Sequence, residues 1–181
     1  MLADRSPYLL NPGRSELPNS ILQFYFDYWT QKRRGRQMPS RADIHPHELK
    51  PYLGYCVLAE ALPGFEDFRY RLIGTRVTDY FLSDATGHTI REAYGAAERS
   101  MSYIDLVVRI HRTACVERSP MLIRGPYGEW KGHFYPEFDV AYFPLSDDGE
   151  NANMVLEAFT FDDTRLRALR GTPILAEASV A

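Results

Sequence analysis

The chain has 181 residues, 45% hydrophobic and 13% aromatic, a balance that fits one globular domain with flanking segments and enough length to bury a core. Its formal net charge of −3 gives no basic field to attract nucleic acid or anionic lipid, and no apolar run approaches the roughly 20 residues that a membrane helix needs. Met1 to Glu16 lacks the apolar centre of a signal peptide, and two distant cysteines, Cys56 and Cys115, make neither a disulfide framework nor a zinc signature, so a reducing, cytoplasmic setting is expected.

Residues 1–18 carry little periodicity and read as an arm. A helix is expected from Ser20, with Gln23 completing a capping box. Ile21, Phe24, Tyr25, Tyr28 and Trp29 line one of its faces, and Leu22 and Phe26 widen it. Lys32, Arg33 and Arg34 oppose the negative end of the helix dipole, and Gly35 is the expected stop. A favourable helix terminus explains these cations without nucleic acid. So broad an apolar face must pack on the domain, on a second copy, or on both.

Pro39 to Ile44 reads as an extended connector. A short helix follows, with Pro46 at its first position, Glu48 two residues on, and Ile44 and Leu49 as a staple. His45 and His47 flank its start, but two histidines without a third ligand fit a cap and a surface group better than a metal site. Tyr55 to Leu62 is apolar on both faces and suits a central strand. After the turn at Pro63-Gly64 comes the stretch that organises the chain, Asp67 to Thr75. Phe68, Tyr70 and Leu72 alternate with Arg69 and Arg71 as in a half-buried strand, and Gly74-Thr75 hands the chain to a helix.

A short helix from Thr75 to about Leu82, a loop pivoting on Gly87 and a single turn over Thr89 to Tyr94 precede the longest helix, about Ala96 to Cys115. Ser100, Tyr103, Ile104, Val107, His111 and Ala114 form its stripe. Strands then dominate: Met121 to Gly125, a long alternating run from Trp130 to Leu145, and Met154 to Phe161. Pro136 and Pro144 mark edge positions or bulges in the long run, because proline cannot donate to a ladder.

This order of elements resembles the PAS fold, an α+β arrangement of a five-stranded antiparallel sheet with helices over one face. Tyr28-Trp29, Pro39-Ser40-Arg41-Ala42-Asp43-Ile44-His45-Pro46, Phe68 to Thr75 and Thr86-Gly87 resemble the pattern of short stand-alone bacterial PAS proteins. The resemblance runs from about Ser20 to Phe161 and divides the chain into an arm with flanking helices (1–52), a PAS core (53–162) and a tail (163–181). It implies a non-enzymatic sensory or regulatory module that acts as a homodimer or on another regulatory protein; a sensor with a small organic ligand in its core is a further reading. Only about 20 residues follow that core, so output is expected through another chain.

The resemblance names no cofactor. Neither cysteine has the Asn-Cys-Arg neighbours of the flavin photosensors, and a lone His111 is a better core residue than a haem ligand. A ligand is expected between the long helix and the sheet, at Tyr103, Val107, His111 and Tyr135. Phe24, Tyr25, Tyr28 and Trp29 are the expected dimer or partner contact. The alternative is a small cavity enzyme that transfers protons with Glu137 or Asp139, which share a strand face with Tyr135 near His133. A solvated strand face is the simpler account of those carboxylates.

Overall fold

The computed structural model describes residues 8–81, 84–97, 99–125, 129–130, 133–134 and 138–161. Among them the strands are β1 (Tyr8–Leu10), β2 (Cys56–Ala61), β3 (Phe68–Ile73), β4 (Met121–Gly125), β5 (Glu129–Trp130), β6 (His133–Phe134), β7 (Phe138–Leu145) and β8 (Met154–Phe161). Six pair antiparallel in the order β1-β4-β7-β8-β2-β3, while β5 and β6 form a separate two-stranded ladder. The helices are α1 (Ser20–Arg33), α2 (Thr75–Phe81), α3 (Ile90–Ala96) and α4 (Met101–Glu117).

The two runs that are apolar on both faces sit side by side at the centre, with Leu58 opposite Leu156 and Ala59 opposite Val155. A strand buried on both faces has no use for alternation, and β8 is buried from Met154 to Thr160. The sheet has six strands rather than five because the arm is not a loose flank. Tyr8–Leu10 pairs with β4, and Asn11 N–H donates to the Pro120 carbonyl at 2.7 Å.

The long run expected over 130–145 is interrupted, and only Phe138–Leu145 joins the main sheet. Pro144 fits inside β7 because the β4 ladder has already ended at Tyr142, and its carbonyl accepts the Trp29 indole N–H at 2.8 Å. A bulge between Leu58 and Ala59 pairs Leu72 with Leu58 but Tyr70 with Ala59, leaving Arg71 as the extra residue. The Phe68–Tyr70–Leu72 alternation therefore breaks at Leu72.

Helices cover both faces. On one, His111 of α4 meets Tyr142 and Glu157; on the other, Trp29 of α1 stands 6.2 Å from Phe143. Three of the four residues expected at a dimer or partner contact, Tyr25, Tyr28 and Trp29, are only 0%, 7% and 2% exposed within the single chain. Phe24 is half-buried against Tyr52, with ring centroids 5.1 Å apart. The aromatic face thus covers its own sheet. Each such ring contributes on the order of 1.5–3 kcal/mol of burial.

Local signals were displaced by neighbours with better geometry. Asn19, not Ser20, caps α1: its Oδ1 accepts from Ile21 and Leu22 N–H, and its Nδ2 donates to Thr160 Oγ1 at 2.9 Å. Gln23 turns back to the Leu17 carbonyl instead. Left-handed Arg34 caps the other end, and Gly35 follows at φ 84°. The helix expected at Pro46 is a turn, because Glu48 is drawn to Lys32 Nζ and Tyr28 Oη. The connector tightens into a single helical turn at Arg41–Asp43, closed by reciprocal Ser40 and Asp43 bonds. The longest helix splits from α3 because Ser100, read from the sequence as part of its stripe, caps it by accepting from Tyr103 N–H.

Gly74 is required for a close approach rather than for a turn angle. A Cβ there would meet the Gly54 carbonyl oxygen at 2.3 Å and the Leu53 oxygen at 2.6 Å. That contact places β3, α2 and the turn before β2 against one another.

Candidate functional site

The α4 side of the sheet forms a partly open cavity of about 50 Å³. Tyr103, Val107 and His111 approach it from α4 at helical spacing, Tyr94 from α3, and Tyr70, Tyr142 and Glu157 from the strands. The structure thus brings three of the four residues expected around a ligand to one space. Tyr135, the fourth, and Glu137 lie outside the described residues.

The floor of the cavity is a buried pair. His111 and Glu157 are 1% and 2% exposed, and His111 Nε2 lies 3.1 Å from Glu157 Oε1. The other ring nitrogen, Nδ1, lies 2.8 Å from the Val107 carbonyl, which can only accept, so Nδ1 carries a proton. Nε2 then faces a carboxylate, and the contact is attractive only with a second proton between the two groups. Burial opposes the charged imidazole, but the Glu157 carboxylate and its hydrogen bond, with the Val107 carbonyl and the Asp67 carboxylate, hold His111 above its ordinary value. The Phe68 ring at 5.1 Å and the Tyr142 ring at 5.2 Å flank the imidazole.

Phenols dominate the upper wall. Burial first, then neighbouring phenols and Glu157, raises the pKa of Tyr70 and Tyr94 well above the ordinary value. They are neutral at any physiological pH. The Tyr94 and Tyr103 rings meet edge to face at 5.6 Å, and the Arg99 guanidinium lies 5.3 Å from the Tyr103 ring centre.

This chemistry narrows what the site can do. With both nitrogens engaged, His111 has none to offer a haem iron, and the cavity is far below the roughly 300–1,000 Å³ of drug-sized ligand pockets. Cys56 donates to the Leu53 carbonyl at 3.2 Å, and burial pushes its thiol up to about 11; burial takes Cys115 to about 12. Neither lines the cavity, and neither is poised as a nucleophile. Asp139 pairs opposite Arg124 and Thr160, and its parity with Phe143 puts it on the α1 face, across the sheet from the cavity.

Among the described residues no group of three or more His, Cys, Asp or Glu is placed to hold a metal, and His45 and His47 simply stack at 5.6 Å. Near the end of α1, Lys32 pairs with Glu48, Arg36 pairs with Asp43, and Arg33 lies over the Trp29 ring. No described helix is long and apolar enough to cross a membrane.

Glu157 is the residue that sequence reasoning missed. Its signal was present, as the single charge in the otherwise uncharged Met154–Phe161 run. Tyr70 and Tyr142 were read as strand alternation and Tyr94 as the end of a turn, because their convergence depends on register.

Comparison with known proteins completes the picture. Residues 18–125 match a family described as PAS domain. No curated protein matches the chain. Among solved structures, it is similar to a sensory box sensor histidine kinase from Vibrio cholerae, at 19% identity over 62% of this chain and 86% of that chain, with a TM-score of 0.40.

Proposed function

The chain belongs to the PAS domain family, and on that premise we propose that it is a sensory module that holds a ligand of few atoms under α4 and signals by contact with another protein, without catalysis. The observation that carries this reading is the place of the cavity. Its occupant touches α4, α3 and the inner strands together, so binding bears on how the helix sits on the sheet. The His111–Glu157 pair ties the same helix to β8 and lies against the same space. Contact with a different protein is favoured over a homodimer through α1, since Tyr25 and Trp29 are covered by their own sheet.

Thermal denaturation of the full chain against small metabolites tests the reading. A true ligand at about 100 times its Kd stabilises by about 2.7 kcal/mol. Native mass spectrometry of protein purified without added ligand should retain the same compound, and affinity capture with and without it should change the partner recovered. No stabilising compound, together with a native mass equal to that of the bare chain, would remove the sensory role.

A further inference from the structure

One acceptor in the cavity has no donor among the described residues. Glu157 is 2% exposed and lines the cavity; its Oε1 meets His111, while its Oε2 takes no hydrogen bond from any described residue. No fully enclosed side-chain polar atom lacks a partner among the described residues, so Oε2 opens onto the free space. Around that space stand the rings of Tyr70, Tyr94, Tyr103, Tyr142, Phe138 and Phe159. Ring faces carry partial negative charge and attract cations.

His111 and Glu157 offset each other, and Asp67 adds a carboxylate, 7% exposed, that among the described residues accepts from the backbone N–H groups of Phe68 and Arg91. Arg99, whose guanidinium stands 5.3 Å from the Tyr103 ring centre, offsets that carboxylate, so the attraction for a cation rests on Glu157 Oε2 itself. A volume of about 50 Å³ admits about four waters or non-hydrogen atoms.

We propose that this cavity binds a short alkylammonium ion, whose N–H donates to Glu157 Oε2 while its carbons lie on the tyrosine and phenylalanine rings. The proposal rests on the sensory reading above and names its ligand class. A carboxylate of the same size meets Glu157 with like charge. An alcohol can donate to Oε2 but brings no charge for the rings to attract.

The test titrates propylammonium, propan-1-ol, acetate and tetramethylammonium into the full chain, read by amide NMR. Propylammonium should shift Tyr103, Val107 and His111 saturably, and each of the other three should bind at least tenfold more weakly. Glu157→Gln should weaken propylammonium at least tenfold. Because that variant also removes the partner of His111 and can unfold the chain, Ile110→Phe provides a second route, filling the cavity from α4 with the pair intact, and should abolish the shifts. Equal binding of the alcohol, or binding that survives Ile110→Phe, overturns the assignment. So does silence from all four compounds, which means a cavity holding water only. In that case a different compound retained in native mass spectrometry leaves the sensory reading standing while the ammonium assignment falls.

Discussion

Removing one member of the His111–Glu157 pair should cost far more than removing both. His111→Phe leaves the Glu157 carboxylate, 2% exposed, without the donor at 3.1 Å. Stranding one charge of a buried pair costs about 3–5 kcal/mol, whereas replacing both by apolar groups of similar volume is neutral or stabilising by about 1–4 kcal/mol. Urea denaturation followed by the fluorescence of buried Trp29 should therefore place His111→Phe and Glu157→Leu each about 3–5 kcal/mol below wild type, and the double variant near it. The pH dependence supplies an independent sign. His111 is held above its ordinary value of about 6.5, so the folded chain keeps a proton that the unfolded chain releases. That stabilisation is fully present below about pH 6.5 and is lost as pH rises through the folded value, and the double variant should lack the slope. A His111→Phe protein within about 1 kcal/mol of wild type, or a double variant as unstable as the two singles added, would refute the charged-pair account.

Gly74→Ala drives a Cβ into backbone at 2.3 Å and should lower stability by about 1–3 kcal/mol or more in chemical denaturation. Gly95→Ala, inside α3 with nothing within 4 Å, should raise it by about 0.5–1 kcal/mol. Asn19→Ala removes the acceptor for two α1 N–H groups and the tie to Thr160, and thermal melts should register a loss of about 1–2 kcal/mol, while Ser20→Ala stays close to wild type. Tyr25→Asp with Trp29→Asp buries two unpaired charges at sites 0% and 2% exposed, so circular dichroism should show an unfolded chain rather than a folded monomer.

The sequence reading succeeded where one segment's own composition decides its fate. Tyr55–Leu62 and Met154–Phe161 are apolar on both sides, and nothing but the middle of a sheet suits such strands. It failed where two segments compete for a residue. Ser20 and Gln23 spell a capping box, yet Asn19 wins because its amide also reaches Thr160, which is distant in sequence. Glu48 satisfies a helix rule, yet Tyr28 and Lys32 claim it. The α4 stripe pointed to Tyr103, Val107 and His111, but the floor of the cavity stayed hidden, because placing Glu157 opposite Tyr142 requires the strand register.

The position of β8 has a consequence for how the chain comes into being. It is paired on one side with β7 and on the other with β2, so the sheet's middle closes only when Leu156 finds Leu58 across roughly 100 residues of intervening chain. During synthesis, β2 and the aromatic side of α1 must leave the ribosome before β8 exists. Domination by such distant pairings predicts folding in milliseconds to seconds rather than microseconds. It also predicts a nascent chain that displays Tyr25 and Trp29 to chaperones until the closing strands have been made.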